Sequence, residues 1–326
     1  MTKRYLVTGS AGFIASKVSE LLLEAGHLVV GVDNVNDAYD PRLKEWRLQR
    51  LLPHAAFHFE RLDISDPEGL APVVDLGPFD AVINLAARAG VRASVRFPEL
   101  YARTNAIGAL RLLELCRSLG IPKFVQASTS SLYGALNPRP FREDADISRP
   151  LSPYAATKGA AELLCHSFHA LHGLDVTILR YFTVFGPAGR PEMSIFRFIQ
   201  WVEEGRPVVL YGDGQQERDF TYVDDIVRGT LAALRPLGFE VINLGSDHPV
   251  TLKALLETIE RLAGKRAVLD QRPEAPGDVR ATWADISKAG RLLGWEPRVD
   301  LETGLRACVD WYRAERAWAS SIATSD

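Results

Sequence analysis

The sequence predicts an α/β protein built on a doubly wound parallel sheet, and three observations carry that expectation. An apolar run ending Tyr5-Leu6-Val7 meets the turn Thr8-Gly9-Ser10-Ala11-Gly12-Phe13-Ile14-Ala15, and an amphipathic stretch follows through about Glu24. Strand-like runs then alternate with helical periodicity through the first half of the chain, the order of a parallel sheet covered on both faces. Polar residues stand at the carboxyl ends of those runs, where such sheets bind ligands.

In chain order, Leu28-Val29-Val30-Gly31-Val32 reads as the second strand and delivers Asp33 at its end. Ala56-Phe57-His58-Phe59 leads to Asp63, Ala81-Val82-Ile83-Asn84-Leu85 to Ala86-Ala87, and Phe124-Val125-Gln126-Ala127 to Ser128. Helical stretches are expected near 66–74 and 98–119. After Val176-Thr177-Ile178-Leu179-Arg180 the alternation weakens, and Gly and Pro concentrate at 186–191, 212–214 and 273–277. The expected organisation is a Rossmann-type domain over 1–180, also receiving about 219–247 because Val241-Ile242-Asn243-Leu244-Gly245 looks like a buried strand. A smaller, interwoven substrate-binding region takes 181–218 and 248–326. Residues 320–326 are expected to fray.

At 326 residues and 47% apolar content the chain has material for a substantial core. The net charge of −3 comes from well-mixed signs, without the basic stripe that nucleic-acid binding requires. Cys116, Cys165 and Cys308 are few and widely spaced, which suggests neither a disulfide framework nor a zinc site and fits a reducing cytoplasm. Met1 runs directly into a strand, and no apolar run approaches bilayer-spanning length, so neither a signal segment nor a membrane partner is expected. His166, His169 and His172 share a helical face but have no carboxylates nearby, which favours a solvated or interface face over a metal site.

Three features carry chemistry. The strand, glycine turn and helix start present backbone N–H groups and a helix dipole suited to a pyrophosphate. Asp33 is placed to accept hydrogen bonds from an adenosine ribose and to repel a phosphate on it, favouring NAD over NADP, although an acid beside Asn34 also begins turns. Tyr154 and Lys158, four residues apart, fall on one helix face, where the ammonium favours the phenolate and makes a proton acceptor.

Taken together, the glycine loop, Asp33, Asp63-Ile64, Leu85-Ala86-Ala87, Ala127 to Gly134, Tyr154-Ala155-Ala156-Thr157-Lys158 and Arg218 to Asp225 resemble the extended short-chain dehydrogenase/reductase family. Within it they resemble the NAD-dependent nucleotide-sugar epimerases. Asp33 to Asp40 with Leu43-Lys44-Glu45, Ala89-Gly90-Val91-Arg92, and Arg180 to Pro187 with Gly189-Arg190-Pro191 look most like UDP-glucuronate 4-epimerases. UDP-glucose epimerases usually carry Asn where Thr183 stands.

The resemblance implies a catalytic trio of Thr129, Tyr154 and Lys158. It implies an NAD site of Gly9, Gly12, Phe13, Ile14, Asp33, Asn34, Asp63, Ile64, Leu85, Ala86 and Ala87 together with Tyr154 and Lys158. Thr129, Ser130, Ser131 and Thr183 would form a hydroxyl cluster around the sugar, with Arg190 and Arg218 on the diphosphate. Arg88 and Arg92 are weaker candidates. The implied reaction is C4 epimerisation of a UDP-sugar through a 4-keto intermediate, UDP-glucuronate to UDP-galacturonate, without a metal. The implied assembly is a homodimer through the helices bearing Leu163, Leu164 and Phe168 and Leu112, Leu113 and Leu115, residues that burial in the monomer explains equally well.

Two positions depart from the family pattern: Ala15 replaces the third loop glycine, and Asn84 stands where uronate epimerases often place His. Nucleotide-sugar 4,6-dehydratases carry an Asp-Glu pair after the catalytic Thr, and uronate decarboxylases tend to carry Glu at the second of those positions. Here the residues are Ser130 and Ser131, and a hydroxyl cannot replace a carboxylate in proton transfer. UDP-glucose/UDP-galactose 4-epimerase is the near alternative. A net dehydrogenase or a non-catalytic NAD sensor is more distant, since a sensor has no need of Tyr154 as a base.

Overall fold

The computed structural model describes residues 1–66, 68–273 and 279–324. Its strands are β1 (Arg4–Thr8), β2 (Leu28–Val32), β3 (Phe57–Glu60), β4 (Ala81–Asn84), β5 (Lys123–Thr129), β6 (Asp175–Tyr181), β7 (Thr183–Phe185), β8 (Pro207–Tyr211), β9 (Glu217–Tyr222), β10 (Phe239–Leu244), β11 (Pro249–Thr251) and β12 (Val268–Arg272). The helices of the first half are α1 (Phe13–Glu24), α2 (Pro41–Leu51), α3 (Ala71–Val74), α4 (Val91–Arg96), α5 (Pro98–Tyr101), α6 (Gly108–Leu119) and α7 (Pro153–His172). The second half adds α8 (Ser194–Glu204), α9 (Val223–Ala232), α10 (Leu252–Ala263), α11 (Ser287–Leu293), α12 (Leu301–Ala314) and α13 (Arg316–Ala319).

Seven strands form one parallel sheet in the order β10-β6-β5-β4-β1-β2-β3. The order reverses at β1, which leaves a crevice beside the carboxyl ends of β1 and β4. The central strands β1, β2, β4, β5 and β6 are buried along nearly their whole length, as a layer covered on both faces requires. α1 packs Val18, Leu22 and Leu23 into one covering cluster, and Leu112, Leu113, Cys165 and Phe168 belong to the cluster on the other face. Each such aliphatic side chain contributes about 1.5–3 kcal/mol by leaving water. Ala15 is buried in the first cluster, so its methyl serves helix–sheet packing.

A third cluster, outside the sheet, joins α8, α10 and α12 through Phe198, Ile199, Leu255, Ile259 and Tyr312. Two small sheets accompany it, β11-β9-β7 and β12-β8. Asn84 does not reach the crevice. Its amide accepts from Thr8 Oγ1 at 2.7 Å and donates to Gln126 Oε1 at 2.9 Å, tying three central strands below the ligand edge.

Two local expectations are corrected and a third, the helical stretch near 98–119, is found with a change of helix type. Among the described residues the helix expected near 66–74 is only α3, because Gly69 closes a turn onto Asp66 and Pro72 sits at the helix start. The helix expected near 98–119 contains a π-helical segment over 102–107 between α5 and α6. The chain end does not fray over 320–324: Ile322 is buried, and the buried amide of Gln200 donates to the carbonyls of Ala319 and Ile322 at 3.0 and 2.9 Å. Residues 325 and 326, and most of the Gly/Pro-rich stretch at 273–277, lie outside the described residues.

Candidate active site

The crevice is a continuous cleft that runs from the glycine loop past the ends of β2, β4 and β5 to the segment after β7. At its first end Gly9 has φ +72°, and a Cβ there would stand 2.8 Å from the Ala86 nitrogen. A Cβ on Gly12 would meet the Gly9 carbonyl at 2.7 Å. Both positions therefore demand glycine. α1 begins without a capping side chain, which leaves its first-turn N–H groups beside Gly12, Phe13 and Ile14 on the cleft wall. That donor set suits a diphosphate.

Asp33 is 7% exposed and already ordered by the backbone, accepting from Ala11 N at 3.2 Å and Val35 N at 2.7 Å. The second bond holds Val35, a β-branched residue, at φ 48°, in the left-handed region. Lys44 on α2 lies with its ammonium 3.5 Å from Asp33 Oδ1 and donates to Asn36 Oδ1 at 3.1 Å. Burial pushes the Lys44 ammonium below its ordinary pKa, and Asp33 opposes that fall. Asn34 donates to Asp63 Oδ2 at 2.7 Å. Burial pushes the Asp63 carboxyl up, but hydrogen bonds from Ser65 and Asn34 and the charge of Arg103 outweigh it, leaving the group below its usual value. Ile64, Leu85, Ala86 and Ala87 complete this wall. The polar groups and glycine clearances fit a dinucleotide with unphosphorylated ribose hydroxyls near Asp33.

The middle of the cleft holds the trio. Thr129 ends β5, and the 3-10 turn that follows carries Ser130 and Ser131. Tyr154 and Lys158 lie in the first two turns of α7, whose start is set by Ser152 capping the Ala155 N–H at 3.2 Å and by Pro153. Thr129 stands beside the Tyr154 phenol, donates to Ser131 Oγ at 3.2 Å and accepts from Ser131 N at 3.2 Å. Burial lifts the phenol above its ordinary pKa, while the Thr129 hydroxyl and the Arg190 charge pull it down. Among the protein groups, the expected downward pull thus comes from Thr129 and Arg190. Lys158 is 3% exposed, and burial lowers its ammonium to about 8 against the opposing charge of Glu162.

At the far end Thr183 and Arg190 line the cleft. Arg190 Nε donates to Glu192 Oε1 at 2.9 Å, and Nη2 reaches the same oxygen. The other oxygen of Glu192 is buried without a hydrogen-bond partner. Arg218 does not line this cleft. β9 pairs Phe220 with Thr183, so Arg218 lies two residues upstream, roughly 7 Å along the strand, and donates to the Glu217 carbonyl at 2.7 Å. Arg88 and Arg92 are also outside the lining; Arg92 stacks over Tyr211 at 4.8 Å.

Other residues around the cleft carry weaker sequence signals. Arg47, 3% exposed, donates to the carbonyls of Ala11 at 3.1 Å and Ala188 at 2.6 Å, and to Tyr39 at 2.7 Å. Its signal was its position: Leu43, Lys44, Arg47, Leu48 and Leu51 form one helical face, which is the buried face. Asn105, inside the π-helical segment, bonds the backbone N–H and C=O of Arg88 at 2.8 and 3.0 Å and so fixes the loop after β4. The three histidines are engaged in other contacts: His166 and His169 pack on Phe239, His169 Nδ1 donates to the Leu174 carbonyl at 2.8 Å, and His172 packs on Phe168. No helix among the described residues is long and apolar enough to cross a membrane.

The family model for the NAD dependent epimerase/dehydratase family matches residues 5–245. A UDP-glucuronate 4-epimerase of Thermodesulfobacterium geofontis is 53% identical over 319 residues, covering 98% of each chain. The crystal structure of UDP-glucuronic acid 4-epimerase from Bacillus cereus, in complex with UDP-glucuronic acid and NAD, superposes with a TM-score of 0.90 at 39% identity, covering 96% of this chain and 99% of that one. UDP-glucose 4-epimerase from Thermotoga maritima, solved with UDP-glucose, gives 0.89 at 36% identity over 96% of this chain and 99% of its own. With its glycine loop, its ordered acid after β2 and its Thr-Tyr-Lys trio in one crevice, this chain belongs to the NAD dependent epimerase/dehydratase family.

Proposed function

We propose that this protein is an NAD-dependent 4-epimerase that interconverts UDP-glucuronate and UDP-galacturonate. The observation that carries the proposal is one cleft lined by Thr129, Tyr154 and Lys158 together with hydroxyls at Ser130, Ser131 and Thr183. Neither Ser130 nor Ser131 offers the carboxylate needed to eliminate across the sugar or to discard its carboxyl group. The uronate epimerases of T. geofontis and B. cereus support the same substrate. The T. maritima neighbour supports a second reading, UDP-glucose as substrate.

NAD, when bound, supplies a hydride acceptor and donor for the sugar C4. Tyr154, as phenolate, takes the O4 proton and later returns it. Thr129 assists that transfer from its place beside the phenol. Lys158 and Tyr154 would hold the cofactor's nicotinamide ribose, the loop at Gly9, Gly12, Phe13 and Ile14 its pyrophosphate, and Asp33 and Asn34 its adenosine ribose. Asp63 and Ile64 would hold the adenine, with Leu85, Ala86 and Ala87 lining the cleft between. Ser130, Ser131 and Thr183 hydrogen-bond the C6 carboxylate. Arg190 leaves Glu192 for the diphosphate, and Arg218 joins it from β9.

The organisation that goes with this chemistry is a cofactor domain of 1–180 plus about 219–247 and a substrate-binding region of 181–218 and 248–326. We further propose a cytoplasmic homodimer. Leu112, Leu113, Leu115 and Phe168 serve the monomer core, so the contact falls to the exposed Leu163 with Val95, Phe97 and Ile107.

Purified protein incubated separately with UDP-glucuronate and UDP-glucose, and followed by NMR, tests the proposal. Conversion of the uronate alone supports it. Conversion of glucose alone replaces the substrate, and a pentose product overturns the assignment of Ser131.

A further inference from the structure

Tyr101 closes α5 and is 3% exposed, standing behind the cleft wall rather than on it. Its two ends face different parts of the site. The ring meets the ring of Tyr154 edge-to-face, with centroids 6.2 Å apart and planes at 83°. The hydroxyl donates to the Ala89 carbonyl at 2.8 Å. A buried phenol needs a partner for its hydroxyl, and this one finds it in the loop between β4 and α4.

That loop has a joint. Gly90 stands at φ +110°, a conformation open to glycine and closed to most other residues, and Ala89, Gly90 and Val91 all line the cleft. A Cβ built on Gly90 would lie 3.5 Å from the Tyr101 hydroxyl and 3.9 Å from Arg190 Nη2, so the anchored carbonyl immediately precedes the point where the loop passes Arg190. Four residues after Tyr101, Asn105 holds Arg88 of the same loop and donates to Thr157 Oγ1 on α7 at 3.1 Å. The loop is therefore fastened twice, at Arg88 and at Ala89. Each fastener also touches the helix that carries Tyr154 and Lys158, Asn105 through a hydrogen bond and Tyr101 through its ring.

We propose that Tyr101 is a positioning residue with two separable duties. Its ring holds the Tyr154 ring at the angle that proton transfer requires, and its hydroxyl holds Ala89 and Gly90 beside Arg190, on the wall that receives the sugar nucleotide. Standing off that wall, it acts through these neighbours alone. The kinetic part of this inference rests on the epimerase assignment. The binding and spectroscopic parts do not.

The test compares wild type, Tyr101→Phe and Tyr101→Met as NAD-loaded protein; methionine is flexible enough to fill much of the space of a lost ring. Calorimetry with UDP gives the nucleotide affinity, and steady-state kinetics give kcat and KM. Fluorine NMR of protein carrying fluorotyrosine reports the order of the Tyr154 ring, its resonance identified by its absence from Tyr154→Phe. Tyr101→Phe loses one neutral hydrogen bond, so the UDP dissociation constant and the KM for the UDP-sugar rise about threefold to tenfold while kcat stays within about twofold. Tyr101→Met weakens UDP to the same degree and in addition lowers kcat about tenfold to a hundredfold, the cost of a misplaced reacting group. The Tyr154 resonance broadens or doubles in Tyr101→Met and remains a single line in Tyr101→Phe.

Lower melting temperatures with kcat, KM, UDP affinity and the Tyr154 resonance all unchanged overturn the proposal and leave Tyr101 a packing residue. A kcat loss in Tyr101→Phe equal to that in Tyr101→Met, or an unchanged kcat and a single Tyr154 line in Tyr101→Met, overturns it as well. Should Tyr101→Met fail to fold, Tyr101→Phe, which keeps the ring, still decides: unchanged UDP affinity there overturns the proposal. Absence of turnover on any UDP-sugar by wild type would instead strike the assigned reaction, while UDP affinity and the fluorine spectrum still decide the two duties of Tyr101.

Discussion

The two ends of the cleft are built differently. At the cofactor end Asp33 is held by two backbone N–H groups, and glycine clearances of 2.7 and 2.8 Å shape the loop, so the geometry is set before a ligand arrives. At the sugar-nucleotide end Arg190 is neutralised by Glu192, and Arg218 lies off the wall. A ligand at the first end meets prepared donors and acceptors. A ligand at the second must exchange an existing ion pair for its own. Preorganisation of this kind lowers the cost of binding, which suits a cofactor retained through many turnovers at the first end and a substrate that must leave at the second.

The largest way to break this comparison lies between the two ends. Tyr154→Phe should lower kcat by roughly 10²–10⁴-fold while leaving the NAD content of purified protein unchanged, measured by absorbance after denaturation. Loss of NAD in that variant would show that the cofactor end is not independently built. Gly9→Val tests the same end from the backbone: a side chain at φ +72°, 2.8 Å from Ala86 N, should strip NAD from the purified protein and lower its melting temperature.

Thr129→Ala sharpens the middle of the cleft. The Thr129 hydroxyl pulls the Tyr154 phenol down, so its loss raises the phenol pKa. A base works only when deprotonated, and the acid limb of the kcat–pH profile should therefore move to higher pH, with about a tenfold loss at neutral pH. At the far end Thr183→Ala should reduce kcat/KM for UDP-glucuronate about fivefold to tenfold, the worth of one hydrogen bond to a charged group, and should spare UDP-glucose. The smallest effect is expected for Glu192→Gln. Freed from its carboxylate, Arg190 should lower the KM for the UDP-sugar about twofold to threefold, and an increase in KM would show that Glu192 itself holds substrate.

The parts of the cleft that were legible from the sequence are those whose chemistry is written in contiguous residues. The glycine loop, the acid after β2 and the Tyr-x-x-x-Lys pair each draw their geometry from one turn of chain, and the alternation of strands and helices orders them along one sheet edge. What was hidden depends on distant pairings. Arg180 reads as a strand residue until Glu162, eighteen positions earlier on a helix, is seen bound to it. Asn105 gains its role only through a π-helical segment that hydrophobic periodicity does not distinguish from an ordinary helix. The tail at 320–324 is polar enough to look loose, yet it satisfies the buried amide of Gln200. Arg218 is a different case, since a motif gives a residue's neighbours but not how far its side chain reaches from β9.

Arg47 joins what this comparison separates. One planar cation grips the Ala11 carbonyl in the loop that receives the dinucleotide and the Ala188 carbonyl two residues before Arg190. The two binding segments consequently share one buried cation, and thermodynamic reciprocity governs whatever coupling it carries: by the factor that an occupied cofactor loop raises the equilibrium affinity for the sugar nucleotide, the sugar nucleotide must raise that for the cofactor.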